Sequence, residues 1–109
     1  MTPKELWLGL ADIMEAVSGE DITSKTRREP IPTLRSMVWK RMREAGLSSL
    51  KIGKVTGWNS ATVRQGCITL RYAVEHPLMY WDIMDYYYKF NKQADEYIHE
   101  RTNDLSLSI

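Results

Sequence analysis

An all-α fold is predicted by three features of the chain. Apolar residues recur every three or four positions in each long stretch, which is the period of a helix with one buried face. Glycine, proline and short capping residues stand between those stretches, at positions where helices start and stop. Nowhere does the chain alternate apolar and polar residues as a half-buried strand would, and no segment repeats. With 109 residues, 43% hydrophobic and four Trp, the chain has enough apolar surface for one core, so residues 1–109 are expected to form a single domain.

Thr2-Pro3-Lys4-Glu5 is a helix start: a Thr cap, Pro at the first helical position and Glu three residues after the cap. Leu6, Leu10, Ile13, Met14 and Val17 then form one stripe, and Gly19 is the stop. "EDITSK" predicts a turn or a short helix. "TRREPIPT" predicts a loop, because Pro30 and Pro32 lack the N–H groups that a helix interior needs. From Pro32 or Thr33 to about Ala45 a helix should bury Leu34, Val38, Met42 and Ala45. Ser36, Lys40 and Arg43 then face outward, with Arg35 at the boundary. Ser48 or Ser49 caps a two-turn helix ending near Thr56, with Ile52 and Val55 inward. Asn59 or Ser60 caps the next, whose stripe is Val63, Cys67, Leu70 and Val74 and whose end is near Glu75. Pro77 opens a last, aromatic helix over 77–101 with Met79, Ile83, Tyr86, Phe90, Ala94 and Tyr97 on one face. The tail "TNDLSLSI" carries no pattern and is expected to fray.

The net charge of +1 hides a strong asymmetry. Residues 25–71 hold 11 Lys and Arg against two acids, a balance of +9, while 1–24 and 72–109 each stand at −4. Such a block is the electrostatic footprint of a nucleic-acid-binding face, unless the acidic arms fold back and neutralise it.

At the centre of the block lies "IGKVTGWNSATVRQ". Gly53 removes a side chain where two helices cross closely, Gly57 permits a turn with positive φ, and Val63 plugs the gap between the helices. Those offsets are what a helix-turn-helix requires. In that motif the second helix enters the major groove of DNA with its N-terminal residues at the base edges. Here they are Asn59, Ser60, Ala61, Thr62 and Gln65, with Lys51, Lys54 and Arg64 on phosphates. Trp58 either packs beneath the turn or touches a sugar or thymine methyl.

Residues 21–74, from "DITSKTRREPIPTLRSMVWK" through "GWNSATVRQGCITLRYAV", resemble the C-terminal DNA-binding domain of the bacterial replication initiator DnaA. The resemblance implies a Trp-repressor-like helical fold, with the initiator-like core at 21–75 and the aromatic helix added to it. It also implies a basic loop, Lys25, Arg27 and Arg28, whose Arg27 enters the minor groove, and a DNA-contacting pair at Arg35-Ser36. On that reading Arg35→Ala spares the fold and weakens DNA binding. The family's signature falls on Gly57-Trp58-Asn59-Ser60-Ala61-Thr62-Val63, where Asn59-Ser60 replaces Asp-His and Trp58 replaces Arg. Those departures transfer the fold and docking mode but not the initiator's own recognition sequence. Its ATPase module is missing, since no Gly-x-x-x-x-Gly-Lys-Ser/Thr occurs in the chain.

The remaining constellations point to no chemistry. His76 and His99 are far apart and without companions at metal-ligand spacing, and Asp82 and Asp85 lack a nucleophile beside them. One cysteine allows no internal disulfide. No apolar run is long enough to span a membrane and the N-terminal stripe carries acids unlike a signal peptide, so a cytoplasmic protein is expected. The expected function is binding of double-stranded DNA with sequence preference, with no enzymatic activity, cofactor or metal. The alternative is a protein-interaction module that retains the fold without the DNA. A homodimer through the aromatic helix is a further expectation, because its stripe lies near a heptad seam.

Overall fold

The computed structural model describes residues 1–102, and the expected fraying of the tail falls on 103–109, outside them. Five α-helices and no strand occur among the described residues: α1 (Pro3–Ser18), α2 (Ile31–Glu44), α3 (Ser49–Thr56), α4 (Ser60–Glu75) and α5 (Trp81–Thr102). No helix there is long and apolar enough to cross a membrane.

α1 starts on a complete capping box. Thr2 Oγ1 accepts from the Glu5 N–H at 3.1 Å and Glu5 Oε1 accepts from the Thr2 N–H at 3.3 Å. Leu6, Trp7, Leu10, Ala11 and Met14 are buried. The segment after Gly19 makes turns and no helix. Asp21 accepts from both the N–H and the O–H of Thr23, and such local bonding competes with helix formation. The same two bonds hold the Asp21 carboxyl below its ordinary pKa.

α2 begins at Ile31, earlier than the two prolines suggest, because Pro32 falls in the first turn where no backbone N–H is required. It packs against α1, α3, α4 and α5. That central position buries more than one stripe: Leu34, Met37, Val38, Trp39 and Met42, and also Arg35 and Ser36. The expectation that Ser36 faces outward is therefore corrected. Its Oγ donates to the Pro32 carbonyl at 3.0 Å and lies beneath Gly66 of α4, where an added Cβ would sit 2.6 Å from it.

α3 is capped by Ser48, whose Oγ accepts from the Lys51 N–H at 3.1 Å. It ends at Gly57, in the left-handed region at φ 79°. The N–H groups of Gly57 and Trp58 both reach the Gly53 carbonyl, at 2.8 and 3.0 Å. Asn59 then caps α4, Oδ1 accepting from the Ala61 N–H at 2.7 Å. Val63, Leu70 and Ala73 are buried. Cys67 is half-buried, and burial raises its thiol pKa.

Gly57→Val places a β-branched residue at a φ it rarely adopts and aims its Cβ at the Lys25 ammonium, 2.8 Å away. The expected cost is about 1–3 kcal/mol, read as a lower melting temperature. Melting at the wild-type temperature would show that the turn tolerates a side chain.

α5 starts at Trp81 and not at Pro77, because residues 77–80 form a turn closed by the Met79 N–H on the His76 carbonyl at 3.0 Å. It packs on α1 and α2. Met84, Phe90 and Ala94 are buried, with Ile83, Tyr86 and Tyr97 against the same core. The aromatic stripe closes the core, and only its first member, Met79, is left outside.

Candidate nucleic-acid interface

α4 has one free face. Ala61, Arg64, Gln65, Ile68, Thr69 and Tyr72 are exposed along it, while Val63, Leu70 and Ala73 point into the core. The face exists because α4 rests on α2 and α3 by its opposite side. At the N-terminal end of the helix, Asn59 uses its carbonyl oxygen on the cap, Ser60 and Thr62 are half-buried, and Ala61 is exposed.

The two flanks of this face differ. On one side a groove of about 620 Å³ runs between α4 and the loop that carries Arg27, with Pro32, Trp39, Trp58 and Thr62 in its walls and Gln65 at its rim. On the other side is a smaller, mainly basic hollow of about 320 Å³, lined by Lys40, Arg43, Arg64 and Arg71 together with Glu44, Cys67 and Ile68. Arg43 is steadied there by donating from Nη1 to Ser49 Oγ at 2.9 Å.

Trp58 organises the first flank. Its ring meets Trp39 edge-on with centroids 5.9 Å apart. Three cations surround it: Arg35 at 4.3 Å, Lys25 at 4.6 Å and Arg27 at 5.5 Å from the ring centroid. Packing, the first of the two roles open to this residue, is thus what the fold uses, and it adds cation–π attraction to each neighbour.

Arg35 does not stand where a DNA-contacting side chain must. It is 2% exposed, and its guanidinium is occupied. Nε donates to the Ile22 carbonyl at 3.0 Å, and Nη2 to the Ser24 and Thr26 carbonyls at 2.6 and 3.1 Å. Burial, and then the charge of Arg27, draw its pKa down, opposed by Glu29. The pair Arg35-Ser36 is corrected together: both side chains are internal and hold the scaffold. Lys25 is partly engaged as well, donating from Nζ to the carbonyls of Thr56 and Gly57 at 3.3 and 2.6 Å, which suits a cation at the C-terminus of α3.

The other predicted residues remain at the surface. Arg27, Arg28, Lys51, Lys54, Arg64, Gln65 and Ala61 are exposed. Arg27 borders the first flank from the loop, Arg28 follows it in that loop, and Lys51 and Lys54 project from α3. Arg43, expected to face outward but not to contact DNA, and Arg71, which the pattern does not single out, join them. The signal for Arg71 was its position seven residues after Arg64, two turns along one helix. Arg43 reaches the hollow from α2, which no spacing within α4 reveals.

Among the described residues the acidic arms make few ion pairs with this block. One joins Asp95 to Arg41 at 2.6 Å. Glu44, inside the block, pairs with Lys40 at 2.8 Å and Arg41 at 3.6 Å. Arg27, Arg28, Arg43, Lys51, Lys54, Arg64 and Arg71 form no ion pair among the described residues.

No family model matches the chain, and no curated protein or solved structure matches it.

No group of three or more His, Cys, Asp or Glu side chains is placed to hold a metal among the described residues. The interface offers cations, an amide, hydroxyls and exposed apolar groups. Chemically it suits recognition of an anionic polymer.

Proposed function

We propose that this chain binds double-stranded DNA with sequence preference, α3 and α4 acting as a helix-turn-helix with α4 in the major groove. The observation that carries the reading is an exposed helix face with Arg27 on one flank and Arg43, Arg64 and Arg71 on the other, none of them in an ion pair among the described residues. A helix lying in the major groove has a phosphate strand on either side, so cations are needed on both flanks and not in one patch. The resemblance of residues 21–74 to the initiator's DNA-binding domain supports the same docking and a Trp-repressor-like arrangement. Arg27 then reaches the adjacent minor groove, favouring A·T pairs beside the core site, where that groove is narrow. The role is that of a small regulator or an accessory factor in replication or of a mobile element, acting in the cytoplasm without catalysis.

Salt tests this directly. Binding to a duplex enriched from random DNA should weaken linearly in log–log form, with a slope of about −4 to −6, since each neutralised phosphate contributes about −0.9. A slope near zero, or equal competition by an acidic polypeptide, would replace this function with the second reading.

That second reading, a protein-interaction module, has its own observation. Leu78, Met79 and Trp81 at the α4–α5 turn are 91%, 67% and 75% exposed. The aromatic stripe of α5 offers no free seam for a homodimer, because its Phe90 and Ala94 are buried.

A further inference from the structure

We infer that Ile68 and Ala61 read the C5 methyl groups of thymines in the major groove, and that Gln65, oriented by Thr69, reads an adenine between them. This rests on the DNA-binding function proposed above and names the bases that the site takes.

Ile68 is the anomaly on the free face of α4. It is 47% exposed, although the other large aliphatic residues of α4 are in the core, Val63 and Leu70, or packed against it, Val74. Its neighbours one turn away on either side are Arg64 and Arg71, and all three line the same basic hollow. An aliphatic group between two arginines fits a surface that is anionic at its edges and carries methyl groups in between. The major groove of DNA is such a surface: phosphates border it, and thymine alone among the bases presents a methyl group there. A protein partner that is merely acidic offers the charge without the methyl.

Gln65 lies between the two apolar residues along the helix. Its Nε2 donates one hydrogen to Thr69 Oγ1 at 3.3 Å. The second Nε2 hydrogen and Oε1 stay free, and these two groups pair with adenine N7 and N6–H. Thr69 thereby holds the amide in one orientation before DNA arrives, which lowers the ordering cost of binding. From Ala61 to Ile68 the helix rises ~10.5 Å, from seven steps of ~1.5 Å. That distance spans roughly three steps of ~3.4 Å along the duplex. The core site is therefore a short A·T-containing segment with two thymine methyls about three base pairs apart.

Deoxyuridine tests it, because it removes the methyl of thymine and leaves base pairing intact. The full chain selects duplexes from random DNA, and the best is resynthesised with deoxyuridine at each thymine in turn. Wild-type affinity is expected to fall about three- to five-fold at two positions, each loss being that of one buried methyl. Ile68→Ala, at an exposed position and with its fold checked by circular dichroism, should lose sensitivity at one of the two and keep it at the other. Wild-type affinity indifferent to every deoxyuridine, or Ile68→Ala retaining both losses, overturns the methyl readout while DNA binding stands. Enrichment of no duplex overturns DNA binding and the methyl readout together.

Discussion

Arg35→Ala is expected to release the loop carrying Lys25, Arg27 and Arg28 and to lower stability by about 2–4 kcal/mol. The side chain makes three charge-assisted hydrogen bonds to the carbonyls of Ile22, Ser24 and Thr26, and stacks on Trp58. Removing it strands the Ile22 carbonyl beside the core, whereas Ser24 is exposed and its carbonyl regains water. The loss is therefore smaller than three full bonds but still large against the stability of a small domain. In a melting experiment it reads as a fall on the order of 10–20 °C. Arg35→Lys separates structure from charge: a single ammonium cannot span three carbonyls or supply the planar stack, so it should rescue little. If Arg35→Ala melts like the wild type and only DNA affinity falls, Arg35 contacts DNA and the internal bonds are dispensable.

Gly53→Val is expected to cost about 3 kcal/mol and to abolish DNA binding at concentrations where the wild type is saturated. A Cβ at this position would lie 2.5 Å from the Trp58 carbonyl oxygen and 3.3 Å from the Ser60 nitrogen. Both are backbone atoms, so no rotamer change relieves the overlap, and the N-terminus of α4 must move away from α3. That end carries Ala61, Arg64 and Gln65, which lose their common placement. Unchanged melting with unchanged binding would show that α3 and α4 do not cross as closely at Gly53 as the geometry requires.

Both substitutions probe what lies between elements, and there the sequence was least informative. Helix boundaries set by near neighbours were readable: the Thr2–Glu5 box, Ser48 and Asn59 as caps, Gly19 and Gly57 as stops. Each depends on atoms within a few residues, so the sequence contains the whole interaction. The start of α5 was misplaced, because Pro77 is as suitable for the first position of a turn as for that of a helix, and the His76–Met79 turn took it. The stripes of α1 and α4 were readable in the main because each buries one side.

α2 shows the limit of that reasoning. An amphipathic pattern presumes one buried side, but α2 packs against all four other helices, and Arg35 and Ser36 were drawn inside with it. The apolar pattern sets Arg35 at the boundary of the buried stripe and Arg43 outside it, but does not reveal that Arg35 is wholly internal. What differs is that carbonyls of residues 22–26 converge on one and Ser49 on the other.

The charge balance itself, +9 over residues 25–71, was determined by the sequence, and so was its concentration around one helical pair. Which of those charges is free was decided by the tertiary structure alone. Lys25, Arg35, Lys40 and Arg41 are engaged by carbonyls or carboxylates brought from elsewhere in the chain or from the next turn. Arg27, Arg43, Arg64 and Arg71 are left to face solvent beside α4. The physical reason is reach. A cap or a stripe is satisfied by the residue's own helix, whereas a charge is satisfied by whatever the fold places within a few ångströms, and sequence distance does not encode that.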